Sequence, residues 1–568
     1  MRPGLIAVLS VLALAAAPAS DDAPALRRRW VYLQTNLQVR ENVPKVEAIL
    51  ARAAKAGYNG VVLADFKLNI LNRVPDWYFE NARKFKAAAA RHGLEIVPCV
   101  ANFGYSSGML IHDPNLAEGM PVRRQPLKVA GGGAVLADPP ARLANGDFES
   151  ARGMRIAGWE MQDEPGELTH VDGGERHSGA ASLRIERTGG GKEYRNARVA
   201  QRVGDVKPWR PYAASVWVKT LEFSSAGEVR LFAMGAKGRI LSFTSLGVKP
   251  TQPWTRHDVV FNSQEGSEVR LYFGVWGTGT GKLWADGIEV KETAFVNLIE
   301  RSTCPLALET ADGRILKPGV DFAPLRDEKG RAAMVRGDFS VYHEPPRLEL
   351  LPAAKLPDGA ILHANYHHAV SVHEGQAAAS LSAPESLELV RDQVRRVRDL
   401  FAPKTYFLSH DEIRVADWDG PEGRNAGAAL AENVRSCRRI VAELEPGAET
   451  VIWSDMFDPH HNAVNDYYLT RGSMAGSWEG LGKETGIVNW NSGKARPSLE
   501  WFAKRGHRQI LAGYYDSSPD RITGWLEVAR GLDGVDGAMY TTWRNDFSKL
   551  EAFAAAAWGS KGKREGSE

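Results

Sequence analysis

Short apolar runs and amphipathic stretches alternate along two separate parts of the chain. In the first part, residues 30–36, 60–66 and 94–100 predict strands. Amphipathic, Ala-rich helices are expected between them at 44–55 and 78–91, closed by Gly57 and Gly93. The rhythm resumes after Pro384, with strands expected at 405–409, 450–455, 486–490, 509–514 and 537–543. Helices are expected at 386–400, 426–444, 497–504, 521–530 and 548–557. Strand–helix alternation of this kind signals a parallel sheet. Three strands before the break and five after it make eight, over about 280 residues, the size of a TIM (β/α)8 barrel. A doubly wound sheet is the weaker alternative, because no Gly-rich phosphate loop follows the first strand.

Between the two parts the pattern changes to period two. Runs such as 180–185, 214–218 and 269–273 alternate apolar and polar positions among Gly and Trp, without a convincing amphipathic helix. The fold expected is therefore α/β: a TIM barrel formed by 25–125 and 380–560, interrupted after strand three. The interruption is a jelly-roll-like β-sandwich at 145–293 and a small β-rich segment at 294–372, with Gly131-Gly132-Gly133 as a linker before the sandwich. Because eight strands are complete without it, the insertion is expected to be dispensable for barrel folding. Residues 1–19 read as a signal peptide: Arg2 is the positive start, 5–17 is an apolar run too short to span a bilayer, and Ala17-Pro18-Ala19 is the cleavage pattern. Export, without a membrane span, is expected.

Charge narrows the classes. Seventy-one Lys and Arg against 69 Asp and Glu leave +2, which offers no electrostatic case for a nucleic-acid partner. Cys99, Cys304 and Cys437 are too few for a disulfide scaffold. Sixteen Trp are many, and an indole face suits a sugar ring as well as a core.

In such a barrel the chemistry lies at the C-terminal strand ends. Those ends read Asp65-Phe66-Lys67, Ser409-His410-Asp411-Glu412, Trp453-Ser454-Asp455, Asn489-Trp490-Asn491, Tyr514-Tyr515-Asp516 and Thr541-Thr542-Trp543. A single Asp there is as often a helix cap, and a single Trp more often core. What discriminates is the recurrence of carboxylates and Trp at successive ends of one rim. Glycoside chemistry needs a proton donor, a group that stabilises an oxocarbenium-like cation, and aromatic faces to hold the ring. The adjacent pairs His367-His368 and His460-His461 point apart and do not suggest a metal site, so neither metal nor cofactor is called for.

These residues resemble the catalytic barrel of glycoside hydrolase family 20, the β-N-acetylhexosaminidases, over about half the chain. Asp411-Glu412 matches that family's Asp-Glu pair after strand four, Trp453 with Asp455 its strand-five ending, and Trp490 its strand-six Trp. Tyr514-Tyr515-Asp516 matches its Tyr-x-Asp, and Trp543 its strand-eight Trp. The stretch 97–110 is also similar to the family's strand-three turn. The resemblance implies an exo-acting, retaining, substrate-assisted hydrolase of a glycan or oligosaccharide. In it, Glu412 is the acid and base, Asp411 holds the 2-acetamido group, Tyr514 bonds its carbonyl, Asp516 orients Glu412, and Trp453, Trp490 and Trp543 wall the pocket. The chain departs from the family at Ser409-His410 (for Gly-Gly), Asn36 (for a strand-one Arg), Tyr105 (for a His) and Asn545 (for an acidic residue). Two other readings compete: a retaining glycosidase with Asp455 as nucleophile, and a catalytically dead carbohydrate-binding surface protein. The insertion resembles family 4/9-type carbohydrate-binding modules through Asn145-Gly146-Asp147-Phe148-Glu149, Trp159, His177-Ser178-Gly179 and Trp284-Ala285-Asp286.

Overall fold

The computed structural model describes residues 24–163, 165–187, 195–335, 342–373 and 375–559. The leader expected at 1–19 lies outside the described residues. The architecture is α/β, built around a closed parallel barrel of eight strands. In chain order these are β1 (Arg28–Gln34), β2 (Gly60–Ala64), β3 (Glu95–Val100), β4 (Thr405–Leu408), β5 (Glu449–Trp453), β6 (Gly486–Asn489), β7 (Gln509–Leu511) and β8 (Val535–Tyr540). β8 closes on β1 with Trp30 opposite Met539, and β3 pairs with β4 across the whole insertion, with Cys99 opposite Phe407.

Both faces of these strands are apolar, and alternation sorts them. Trp30, Tyr32, Val62, Val97, Cys99, Phe407, Val451, Trp453, Val488, Ile510 and Met539 fill one core, the barrel interior. Their neighbours Val31, Leu33, Val61, Ile452, Ile487 and Ala538 face the surrounding helices. Gly60 makes room for the Trp30 indole, since a Cβ there would lie 2.5 Å from its ring. The helices are α1 (Asn42–Lys55), α2 (Asp76–Arg91), α3 (Pro384–Phe401), α4 (Ala426–Leu444), α5 (Ala495–Lys504), α6 (Arg521–Ala529) and α7 (Leu550–Trp558). The expected eight strand–helix units are not all regular. Between β5 and β6 the chain forms no α-helix, only the 3-10 turns Asp455–Phe457 and Ser477–Gly480 and the short strand Leu469–Thr470.

The insertion holds two five-stranded antiparallel sheets around a second core. A further sheet pairs Ile361–Ala369 with Gly119–Ala130, Ala307–Thr310 and Leu298–Ile299. Gly119–Ala130 therefore belongs to this sheet, although the first barrel segment was expected to run to 125. The glycine run expected as a linker is a hairpin turn: Ala130 pairs with Gly133, and Gly131 and Gly132 take φ of 57° and 78°. Cys99, Cys304 and Cys437 are buried free thiols. Among the described residues, no helix is long and apolar enough to cross a membrane.

Candidate active site

The chain leaves β4 at Leu408 and turns over the barrel mouth. His410 is buried, stacked on Phe103 and bonded to Asn433, and burial lowers its imidazole to about 4. Asp411 and Glu412 follow, and both line a cavity of about 380 Å³ with Gln34, Tyr105, Trp453, Trp490, Tyr515 and Trp543. That volume is within the range of ~300–1,000 Å³ usual for small-molecule sites. Ring centroids run round it in sequence: Trp490 to Tyr515 is 5.7 Å, Tyr515 to Trp543 is 6.3 Å and Trp543 to Trp453 is 6.1 Å.

The two carboxyl groups point differently because the backbone turns left-handed at Glu412, with φ of 50°. Glu412 ion-pairs with the Arg414 guanidinium at 2.8 Å and accepts a hydrogen bond from the Tyr105 hydroxyl. Asp411 is dominated by burial instead. Burial, and then the charges of Asp455 and Glu412, push its carboxyl up to about 8. The Tyr515 hydroxyl is raised by burial and by the charges of Asp455, Glu412 and Asp411, which places it among all three carboxyl groups.

The turn is held from below. Asp455 is fully buried, and burial raises its carboxyl above the ordinary range. It accepts from the Glu412 backbone N–H at 2.9 Å, from Asn462 Nδ2 at 2.9 Å and from Trp490 Nε1 at 3.3 Å. It does not line the cavity, so its position is that of a brace for Glu412 rather than of an exposed nucleophile. Gln376 clamps the turn from the side: its amide donates to the carbonyls of Gly104 at 2.8 Å and Glu412 at 2.9 Å, and its Oε1 accepts from Arg414.

Of the residues expected at the site, Asp411, Glu412, Trp453, Trp490 and Trp543 come together round the cavity. Tyr514 does not. Its ring is buried against Tyr540 at 4.5 Å and edge-on to Phe553, in the layer under the helices. Tyr515 stands on the cavity in its place. Asp516 accepts from the backbone N–H groups of Trp543 at 2.7 Å and Arg544 at 3.2 Å, so it fixes the Trp543 loop rather than Glu412. Arg414, Gln376 and Gln34 were not anticipated. The charge two residues after the acid pair was the available signal for Arg414, while nothing local marked Gln376. Among the described residues, no group of three or more His, Cys, Asp or Glu is arranged to hold a metal ion.

No protein-family model matches the chain, and no curated protein matches it. Among solved structures, it is similar to a chitobiase from Flavobacterium johnsoniae, with 12% identity over 94% of this chain and a TM-score of 0.37. The chain spans 48% of that protein's length. A family 16 carbohydrate-binding module matches over 26% of this chain and 96% of its own, with 18% identity and a TM-score of 0.21. The xylan-binding CBM22-1 domain of Paenibacillus barcinonensis Xyn10C matches over 29% of this chain and 97% of its own, with 16% identity and a TM-score of 0.20.

Proposed function

We propose that the protein is a glycoside hydrolase, in which Asp411 and Glu412 divide the acid and base work on a sugar held between Trp453, Trp490, Trp543 and Tyr515. One observation carries this reading: two adjacent carboxyl groups in an aromatic cavity have environments that drive them apart. One is ion-paired to Arg414, the other buried and raised to about 8. Separated environments of this kind assign acid and base in carboxylate enzymes. At neutral pH Asp411 keeps its proton and can donate it to the leaving oxygen. Glu412, ion-paired to Arg414 and hydrogen-bonded by the Tyr105 hydroxyl, faces the developing cation or activates water.

This reverses the roles that the family 20 resemblance implies. The resemblance's assignment, with Glu412 as acid and Asp411 supporting a 2-acetamido group, is favoured by one feature: Glu412 presents the more flexible side chain to the cavity, 25% exposed. Aryl glycosides separate the two. The 4-nitrophenyl β-glycosides of N-acetylglucosamine and N-acetylgalactosamine come first, beside a wider glycoside panel. Removing the acid costs ~10²–10⁴ in rate on a poor leaving group, and far less on a 2,4-dinitrophenyl group that leaves unprotonated. Asp411→Asn should show that rescue and Glu412→Gln should not. The opposite pattern would return the acid role to Glu412, and an oxazoline-mimicking thiazoline that inhibits the wild type would show a participating acetamide. No turnover of any glycoside, with glycan binding retained, would leave a binding protein instead.

A further inference from the structure

A second hollow lies beside the aromatic cavity, on the side of β1 to β3. This cleft has a volume of about 810 Å³, and Gln34 and Tyr105 line both it and the cavity. Six amides line this cleft, Gln34, Asn36, Asn42, Asn69, Asn102 and Asn545, although Asn69 already bonds the Phe66 carbonyl and Gln393, Asn42 Nδ2 donates to the Asn36 carbonyl, and Asn36 Oδ1 accepts from the Gln38 N–H. An amide both donates and accepts, which matches the hydroxyls of a neutral sugar and does not select for an anion. The Oδ1 of Asn102 lies buried with no hydrogen-bond partner among the described residues. The cleft also holds an apolar platform. Phe66 lines it and is 47% exposed, with the Lys67 ammonium 4.4 Å from its ring centroid. Phe66 is held there by Asp65, whose carboxylate caps the turn through the Lys67 N–H and also accepts from the Leu37 N–H and the Tyr78 hydroxyl.

We propose that this cleft is a second sugar-binding site continuous with the aromatic cavity. The substrate is then an oligosaccharide that runs past Tyr105 and Gln34, with one unit between the tryptophans and at least one further unit over Phe66, its hydroxyls bonded to the amides. The proposal rests on the glycoside hydrolase reading above and adds the length of the substrate to it. A cleft larger than the cavity it adjoins makes chain length a determinant of rate, which a site for one terminal sugar does not require.

The probes are β-1,4-linked N-acetylglucosamine oligomers of one to four units and the 4-nitrophenyl monosaccharide, with turnover followed by chromatography and binding by calorimetry on the full chain. The expected result is a kcat/KM about tenfold higher on the trimer than on the monosaccharide glycoside, the equivalent of ~1.4 kcal/mol. Phe66→Ala should bring the ratio of those two rates down about tenfold. Asn545→Gly should do so as well: it removes an amide at a left-handed position, φ 53°, that glycine adopts freely, so the fold is kept. Turnover that is independent of length and of both variants overturns the second site while the hydrolase reading stands. Binding that tightens with length and weakens in Phe66→Ala, without turnover, supports the cleft and removes the hydrolase. The absence of both binding and turnover for every oligomer overturns the proposal.

Discussion

At Asp411, burial disfavours the ionised carboxyl, and the charges of Asp455 and Glu412 add to it. The consequence for stability has a definite sign. In the unfolded chain the group titrates near ~3.9. In the folded protein it titrates at about 8. Between those values the folded state binds more protons, so the stability contributed by the protonated form is full below pH 4 and is lost as pH rises through about 8. Asp411→Asn cannot titrate. Its stability relative to the wild type should therefore grow between pH 4 and pH 8, by ~1 kcal/mol or more, since each tenfold difference in proton affinity between the folded and unfolded chain is worth ~1.4 kcal/mol. Urea unfolding at the two pH values measures this, and a constant difference would remove the strained carboxyl. The same residues show where sequence reading stops. β7 ends at Leu511, and the chain then passes Gly513, where a Cβ would meet Trp525, before Tyr515 and Asp516 adopt φ of 52° and 50°. Strand alternation cannot be carried through such a turn, so which of two adjacent tyrosines faces the cavity was not legible.

The elements that bring the site together are two loops, after β3 and β4, packed backbone to backbone. Gly104 is the contact point: a Cβ there would lie 1.8 Å from the Asp411 carbonyl oxygen. Gly104→Ala must therefore separate the loops, and with them Tyr105 from Glu412. Overpacking of this kind costs ~1–3 kcal/mol. Activity should fall more steeply than stability, because the displaced Tyr105 bonds Glu412 directly. Wild-type kcat/KM in a folded Gly104→Ala protein would show that the loops are not coupled. The barrel strands themselves were legible, since each is a largely buried run of three to seven residues bounded by turns or helices. What escaped were features set by distant partners. The hairpin at Gly131-Gly132 depends on pairing within a sheet whose middle strand lies more than 200 residues away. Gln376, which clamps the site, sits in the irregular approach to α3.

Across the whole molecule, the barrel and the insertion share a core. Val415 and Leu469, from loops after β4 and β5, pack with Val370 and Val372 into the hydrophobic cluster of the sandwich. Trp209 meets Trp418 at 5.5 Å, Arg239 ion-pairs with Asp466, and the Phe243 N–H donates to the Val372 carbonyl at 2.6 Å. The strand count alone made the insertion dispensable, but this shared core argues the reverse. Deleting residues 145–292 would bare that apolar patch beside the turn that carries Asp411 and Glu412, and the truncated chain should be insoluble or should unfold well below the full-length protein, as scanning calorimetry or sedimentation would reveal. A soluble barrel of unchanged Tm would restore the simpler view. The interruption between β3 and β4 also has a consequence in time. At ~5–20 residues per second, a ribosome needs on the order of tens of seconds to make the chain between them. During that interval the three N-terminal strands exist without the neighbour that pairs with β3, and β1 waits for β8, which arrives only at Val535–Tyr540. The strand pairing of the sandwich is complete long before that, although its core still awaits Val415 and Leu469. The order of synthesis thus gives the last-closing barrel a ready-made surface to close against, and the residues that line the aromatic cavity are the last to find one another.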